Sequence, residues 1–186
     1  MRIFLTACAI ALLAGCNKPA QAPANQADAA APDIPVKGAD RSHKGNAAPA
    51  IAFADPDGEE ISLASFAGKP TLVNLWASWC APCVKELPTL DRLSRSQAGK
   101  LNVVAISQDD GPTASVVAFL QANRIVNLDP YQDKKMAFSG ALAPVLPTSI
   151  LYDAKGKEVW RFVGDLDWTS PQAAKLLAEA GVAPAG

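Results

Sequence analysis

The chain has 186 residues, which corresponds to one domain of ordinary size. It carries 17 Lys and Arg against 18 Asp and Glu, so there is no basic excess to attract phosphates, and we expect no nucleic-acid partner. Hydrophobic residues make up 49% of the chain, enough to form a core. Four Cys and one His are too few for a disulfide-rich scaffold or a His-rich metal site.

The N-terminus has the pattern of an export signal. A short cationic start is followed by the apolar run Ile3 to Leu13, which is too short to span the roughly 30 Å of bilayer hydrocarbon but fits the core of a signal peptide. Two small residues then precede Cys16, an order that resembles a bacterial lipobox, in which the cysteine is lipidated and becomes the new N-terminus. We therefore predict a lipoprotein signal peptide at residues 1–15 and a lipid on Cys16. An ordinary signal peptide followed by an incidental cysteine is the alternative.

The next segment has the composition of a disordered tether. Asn17 to about Ala47 is rich in Ala, Pro, Gln and Asn and has almost no large apolar side chain, so it cannot bury enough surface to offset its ordering entropy. The only histidine, His43, falls in this segment and is expected to be solvated. The predicted organisation is a lipid-anchored tether at residues 16–47, a folded domain at 48–182 and a flexible tail at 183–186.

The folded domain consists of alternating strand and helix patterns. A nearly continuous apolar run at residues 71–76 is typical of a strand buried on both faces, and Leu87, Leu90 and Leu93 follow it at helical spacing. The predicted elements are a hairpin of residues 51–53 and 60–63, a strand at 71–76, a helix at 81–96, a strand at 101–107, a helix at 112–123, antiparallel strands at 148–152 and 158–163, and a helix at 171–180. This order predicts an α/β domain whose central mixed sheet is flanked by helices and preceded by a β-hairpin.

Export leaves two cysteines for chemistry. Cys8 lies within the predicted signal peptide and is removed with it, so only Cys80 and Cys83 keep their thiols once Cys16 is lipidated. These two cysteines either pair with each other or stay free. Outside the cytosol such dithiols tend to become oxidised unless something reduces them.

Both cysteines lie where a buried strand ends and a helix begins. Cys80 falls at the predicted N-cap, where free backbone N–H groups and the helix dipole favour an anion, so the pKa of its thiol should fall below that of free cysteine. Cys83 follows three residues later on the same helix face, close enough to form a disulfide. Pro82 lies in the first turn, where its missing N–H costs little. We expect Cys80 to be the exposed attacking sulfur and Cys83 the more buried resolving sulfur.

Two other roles for the cysteine pair are possible. A zinc site would need two further ligands, and the chain offers none because His43 lies in the predicted tether, so we expect no metal. A purely structural disulfide is the second alternative, although a loop closed over two residues stabilises a fold little.

The motif and its surroundings resemble those of a known family. The residues WCAPC at 79–83, directly after a buried strand, are similar to the thioredoxin motif. A fuller pattern resembles the TlpA/ResA-like branch of extracytoplasmic, membrane-anchored thioredoxins: GKP at 68–70, NLWASWC at 74–80 and ELP at 86–88. The resemblance covers residues 49–164. It implies a thioredoxin fold and dithiol–disulfide exchange with protein partners, with the redox-active pair Cys80–Cys83 and no other cofactor.

The resemblance also implies an acid–base residue. Thioredoxin carries a buried Asp six residues before the first cysteine, whereas this chain has Asn74 there, which cannot accept a proton. Members of the TlpA/ResA-like branch instead carry an acid three residues after the second cysteine, where this chain has Glu86. A carboxyl there could take the proton from Cys83 as that thiol attacks a mixed disulfide, provided that burial raises the carboxyl's pKa. A solvated glutamate on the helix surface is the alternative.

A second motif implies a substrate groove. Thioredoxin folds place a cis-proline before a strand and against the active-site disulfide, and the residues VLPTS at 145–149 resemble that motif. The resemblance assigns the cis-proline to Pro147, with Pro144 as the competing candidate. The predicted groove residues are Trp79, Pro82, Leu146 and Pro147. Of the other tryptophans, Trp160 and Trp168 are expected to pack in the core and to take no part in chemistry.

The leading function is therefore a membrane-tethered thiol–disulfide oxidoreductase. Cys80 would attack a partner disulfide, Cys83 would resolve the mixed disulfide, and a membrane thiol reductase would recharge the pair. The Glu86 pattern favours a reductant, a role that in this family often serves cytochrome c maturation. We expect a monomer anchored at a bacterial membrane and facing the periplasm or another extracytoplasmic space, with the client and the choice of inner or outer membrane left open.

Two other functions are alternatives. Residues 49–70 also resemble peroxiredoxins, but such peroxidases need Thr or Ser three residues before the nucleophile and Pro seven before it, where this chain has Ala77 and Val73. The other alternative is a lipid-anchored binding protein whose cysteine motif is idle. Such a protein would show no insulin reduction or thiol exchange, and a Cys80→Ser variant would trap no mixed disulfide with any partner.

Overall fold

A computed structural model of the chain describes residues 38–143 and 145–183. The predicted signal peptide, the lipidation site Cys16 and most of the predicted tether lie outside the described residues. Pro144 and residues 184–186 of the predicted tail lie outside them as well.

Seven strands and four α-helices make up the described part of the chain. In chain order they are β1 (Phe53–Ala54), β2 (Glu60–Ile61), a 3₁₀ turn (Leu63–Phe66), β3 (Thr71–Trp76), α1 (Ala81–Ser96), β4 (Asn102–Ser107), α2 (Thr113–Ala122), β5 (Tyr131–Gln132), α3 (Ala137–Leu142), β6 (Thr148–Tyr152), β7 (Glu158–Val163) and α4 (Pro171–Ala178). None of these helices is both long and apolar enough to cross a membrane.

The strands form one mixed sheet in the order β2-β1-β5-β4-β3-β6-β7. Strand β3 lies near the middle, parallel to β4 and antiparallel to β6. Every residue of β3 is buried, as its continuous apolar sequence predicts for a strand covered on both faces. The α/β class, the mixed sheet and the N-terminal hairpin predicted from the sequence are therefore confirmed.

The side chains of β3 divide the core into two clusters. Successive residues of a strand point to opposite faces, so Leu72 and Trp76 pack in one cluster, while Val73 and Leu75 pack in the other. The first cluster contains the apolar face of α1, including Leu87. Asn74 lies two residues from both Leu72 and Trp76, so its side chain points to the same face of the sheet. This polar residue is therefore on the side covered by α1.

The register of β3 and β6 brings the cysteine motif and the cis-proline motif to the same end of these two neighbouring strands. Leu75 of β3 pairs with Thr148 of β6, so the residue before Thr148, which is Pro147, lies level with Trp76. The chain leaves β3 at Trp76 and reaches the two cysteines within a few residues. The carboxyl end of β3 and the amino end of β6 therefore lie side by side.

The segment before β1 corrects the predicted tether boundary. Asp40 pairs with Arg161 of β7, and Ala47 pairs with Lys157 just before that strand. The boundary at residue 47 is therefore wrong within the described residues, since 40–47 pack on the folded domain. Composition misled the prediction because backbone hydrogen bonds to an edge strand, and not apolar side chains, order this segment.

Besides the 3₁₀ turn, two short elements were absent from the sequence prediction. Strand β5 has two residues and helix α3 has six, so neither carries enough periodicity to be recognised. The other elements agree closely with their predicted bounds. Helix α1 and strands β6 and β7 match at both ends, and α4 ends at Ala178, two residues early.

Candidate active site

The two cysteines form a disulfide at the start of α1. The sulfur atoms of Cys80 and Cys83 are 2.07 Å apart and the Cα atoms 5.3 Å apart. Cys80 is the N-cap of the helix, and its sulfur accepts a hydrogen bond from the Cys83 backbone N–H at 3.4 Å. The helix start thus directs one backbone N–H at the first sulfur, and the helix dipole favours negative charge there.

The two cysteine residues differ in exposure less than the sequence predicts. Cys83 is completely buried, as expected of a resolving cysteine, but Cys80 is only 7% exposed in the disulfide form. The neighbouring Trp79 side chain is 68% exposed, and Pro82 is exposed as well. The accessible surface around the disulfide therefore consists largely of its neighbours in the motif.

An aspartate that the sequence analysis missed holds the loop before Cys80. The carboxylate of Asp109 accepts hydrogen bonds from the backbone N–H of Ser78 at 3.1 Å and from its hydroxyl at 2.8 Å. The Ser107 hydroxyl donates to the same carboxylate at 2.7 Å. The available signal was the position of Asp109, two residues after a buried strand parallel to the one that carries the cysteines.

Glu86 lies in the core one helical turn beyond Cys83. Its side chain is 3% exposed, so the predicted buried carboxyl is present and the solvated alternative is wrong. One carboxylate oxygen, Oε1, accepts from Asn74 Nδ2 at 2.7 Å. The other, Oε2, accepts from the Leu166 backbone N–H at 3.0 Å and from Trp168 Nε1 at 3.3 Å.

Burial dominates the acidity of this carboxyl. The loss of water raises the pKa of Glu86 from its ordinary 4.5 to about 7, although the bonds from Leu166, Asn74 and Trp168 favour the charged form. Asp165 adds a small further rise through like-charge repulsion. A group with this pKa can accept and release a proton near neutral pH, which suits it to general acid–base chemistry.

The residue that replaces the thioredoxin aspartate helps to hold this carboxyl. Besides its bond to Glu86, the Asn74 amide donates to Ser149 Oγ on β6 at 2.9 Å. Asn74 is fully buried and its own oxygen has no hydrogen-bond partner within the described residues. One titrating acid, Glu86, therefore lies beside a neutral amide that cannot take its proton.

Trp168 packs in the core as the sequence predicts and also contacts Glu86. The side chain is buried as predicted, at 2% exposure, but its indole N–H is also directed at the Glu86 carboxylate. It lies 82 positions from Glu86 along the chain. No local pattern could have revealed that contact.

The proline assignment agrees with the backbone geometry. The Leu146–Pro147 peptide bond is cis and directly precedes β6. Leu146 is half-buried and packs against both core clusters, while Pro147 is buried and its carbonyl accepts from Gly164 N–H at 2.9 Å. Leu146 thus packs against the core cluster that contains Cys80 and Cys83, and the strand register places Pro147 level with Trp76, at the end of β3 from which the cysteine motif follows.

Comparisons with known proteins agree with this geometry. The Redoxin family model matches residues 43–177. The chain is 32% identical to thiol-disulfide oxidoreductase ResA of Bacillus anthracis over 125 residues, which are 65% of this chain and 70% of that protein. It is 41% identical to thioredoxin-like protein YneN of Bacillus subtilis (strain 168) over 64 residues, which are 34% of this chain and 38% of that protein.

A solved structure shows the same fold. The crystal structure of StoA from Bacillus subtilis superposes with a TM-score of 0.58 at 25% sequence identity, covering 70% of this chain and 98% of that one. The family match spans most of the described domain, including both cysteines and Glu86. The chain therefore belongs to the Redoxin family, as a TlpA/ResA-like thioredoxin with thiol–disulfide oxidoreductase chemistry at Cys80 and Cys83.

Proposed function

We propose that this protein is a membrane-tethered reductant for disulfides of other exported proteins. The observation that carries the proposal is the combination of the Cys80–Cys83 disulfide with a buried carboxyl, Glu86, one turn further along the helix. The disulfide is the redox group, so the reaction needs no bound cofactor. The carboxyl provides a place for the proton that must leave the buried thiol.

The reaction begins from the reduced form of the pair. The Cys80 thiolate attacks one sulfur of a partner disulfide, a mixed disulfide forms, and the other partner sulfur leaves as a thiolate that takes up a proton. Glu86 then accepts the proton of the Cys83 thiol. Cys83 attacks the Cys80 sulfur, the bond between Cys80 and the partner breaks, and the second partner sulfur leaves as a thiolate that takes up a proton. Two electrons have moved from the pair to the partner.

A second dithiol must return the pair to its reduced form by the reverse exchange. We propose a membrane thiol reductase as this donor, because an exported protein has no direct access to cytosolic reductants. The export pattern at residues 1–15 and the lipobox-like Cys16 support anchoring at a bacterial membrane, facing the periplasm or another extracytoplasmic space. Reduction of haem-binding cysteines for cytochrome c maturation is the client role we propose, and we expect the protein to act as a monomer.

Trapping tests the direction of attack. A Cys83→Ser variant should accumulate mixed disulfides with its clients through Cys80, because the second step is blocked. A matched Cys80→Ser variant should trap none. If neither variant traps a partner and the wild-type protein does not reduce insulin, the cysteine pair is idle and the proposal fails.

The equilibrium potential against glutathione tests the direction of electron flow. A reductant should have a potential near or below that of thioredoxin, about −270 mV. A value near that of the strong oxidant DsbA, about −120 mV, would contradict the reducing role. Anchoring is tested separately: the wild-type protein should appear in the membrane fraction, and a Cys16→Ala variant should leave it.

A further inference from the structure

The segment between β7 and α4 reaches across α1 to the buried carboxyl. Its two contacts with Glu86 come from the Leu166 backbone N–H, at 3.0 Å from Oε2, and from the Trp168 indole N–H, at 3.3 Å from the same oxygen. The other oxygen, Oε1, accepts from Asn74 at 2.7 Å. Each carboxylate oxygen is thus held by neutral donors, and the donors to the two oxygens come from separate parts of the fold.

Trp168 is itself anchored to the helix that carries Glu86. Its backbone N–H donates to Thr89 Oγ1 at 3.1 Å, and the Thr89 hydroxyl in turn donates to the Glu86 carbonyl at 2.8 Å. The indole therefore approaches Glu86 from a backbone whose position is fixed relative to the same helix turn. Packing alone would not require an indole N–H to end on a carboxylate oxygen.

We propose that Trp168 is a positioning residue for Glu86: its indole N–H orients the carboxylate oxygen Oε2 and stabilises the ionised form that accepts the Cys83 proton. This inference rests on the proposed function, because it assumes that Glu86 receives that proton. Trp168 need not touch the partner or either sulfur. It acts through the carboxyl that it holds.

The direction of its effect follows from the groups around Glu86. Burial and the nearby Asp165 both disfavour the carboxylate, whereas the Leu166, Asn74 and Trp168 donors favour it. Asp165 is itself paired with Lys85 on α1 at 2.7 Å. Removing one donor leaves the opposing influences in place, so the pKa of Glu86 should rise and the carboxyl should stay protonated to higher pH.

The chain offers a matched pair of tryptophans for the test. In Trp168→Phe the ring remains and the indole N–H to Glu86 is lost. In Trp160→Phe the same substitution removes an indole N–H that donates to the Leu176 carbonyl at 3.0 Å, and Trp160 is likewise buried. Both variants lose one buried hydrogen bond, but only the first loses one to Glu86.

Two readouts are taken on the full chain. The first is the titration of the Glu86 side-chain carboxyl carbon by ¹³C NMR in the oxidised protein, with the signal identified by its absence in Glu86→Gln. The second is the pH dependence of single-turnover oxidation of the reduced protein by an aromatic disulfide whose released thiolate is coloured. The second thiolate to be released reports the attack of Cys83.

We expect Trp168→Phe to raise both midpoints by about one pH unit, as the loss of one hydrogen bond to a charged group implies. Trp160→Phe should move neither. Thr89→Val, which keeps the indole but removes the anchor of its backbone, should raise both midpoints by a smaller amount. That variant keeps the test decisive if Trp168→Phe fails to fold.

The outcomes distinguish the positioning role of Trp168 from the proton-acceptor role of Glu86. If Trp168→Phe and Thr89→Val move neither midpoint while Glu86→Gln abolishes the pH dependence, the positioning role is overturned and the proposed function stands. Equal shifts in Trp168→Phe and Trp160→Phe would also overturn the positioning role. If Trp168→Phe moves the carboxyl titration but the second release is insensitive to it and to Glu86→Gln, Trp168 holds Glu86 and the proton-acceptor role fails.

Discussion

Two buried glutamates of this protein have opposite surroundings. Glu158, at the start of β7, is 2% exposed and faces the Arg161 guanidinium, with N–O distances of 2.5 and 2.9 Å. Glu86 on α1 is 3% exposed and, within the described residues, accepts hydrogen bonds from neutral donors only. A buried carboxylate with a full opposite charge serves as a fixed structural link, because breaking the pair leaves an uncompensated charge.

A buried carboxylate without a cation behaves differently. Neutral hydrogen bonds only partly replace the lost water, so the pKa of Glu86 rises to about 7 and the proton can come and go near neutral pH. Both glutamates are buried, so burial by itself does not distinguish them. What distinguishes Glu86, within the described residues, is that its hydrogen-bond donors are neutral and that it lies one helical turn from Cys83, and on these two features we base its proposed acid–base role.

The largest expected effect comes from leaving Glu158 without its partner. Arg161→Met should lower the free energy of unfolding by about 3–5 kcal/mol, because a buried carboxylate loses its opposite charge. Urea unfolding measures the loss. The control is Arg41→Met, which breaks the partly exposed pair with Glu179 and should cost less than about 1 kcal/mol. Similar losses in the two variants would contradict the structural role of the Glu158 pair.

The pH dependence of stability should carry the signature of Glu86. The pKa of this carboxyl is 4.5 ordinarily and about 7 in the folded protein, so between these values the native state binds more protons than the unfolded state. Stability contributed by Glu86 is therefore fully present below pH 4.5 and falls by about 3 kcal/mol as pH rises to 7, with no further change above that. Urea unfolding of the oxidised protein across this window measures it.

A matched variant isolates that contribution. Glu86→Gln should remove the fall between pH 4.5 and 7 and leave the rest of the pH profile unchanged, since glutamine does not titrate. An unchanged fall in the variant would show that another group is responsible.

The rate of thiol–disulfide exchange should depend on Glu86 and not on Glu158, whereas the Glu158 pair contributes to stability. Glu86→Gln should slow the resolving attack of Cys83 by about 100-fold, the usual contribution of a general base. Glu158→Gln should leave the rate unchanged while destabilising the fold, because Arg161 then lacks its carboxylate. Single-turnover oxidation at about pH 7.5, just above the Glu86 midpoint, measures both. Comparable rate losses in the two variants would contradict the assignment of an acid–base role to Glu86 and a structural role to Glu158.

The smallest effect is expected at Ser149, two hydrogen bonds away from the Glu86 carboxyl. Ser149→Ala removes a hydroxyl that accepts from Asn74, so the amide facing Glu86 loses one of its two acceptors. We expect a loss of about 1 kcal/mol in the free energy of unfolding. Ser94→Ala, whose hydroxyl donates to the Asn127 carbonyl at the surface, should cost less. An equal cost would mean that the Asn74 amide needs no second partner.

Features that depend on neighbouring residues could be predicted from the sequence. The apolar run of β3, the helical spacing along α1 and the position of Cys80 at its N-cap are all properties of neighbouring residues, and the structure has them as expected. The position of Pro147 before β6 belongs to the same class. Together these features place a disulfide at a helix start on a mixed sheet.

The surroundings of Glu86 depend instead on how distant parts of the chain pack together. Its donors lie 12, 80 and 82 positions away along the chain, on β3 and on the segment after β7. Contacts at such separations depend on strand order and on how a loop crosses a helix, and no periodicity within a window records them. The pairing of residues 40–47 with the edge of the sheet escaped the sequence for the same reason, because backbone hydrogen bonds between distant segments leave little trace in composition.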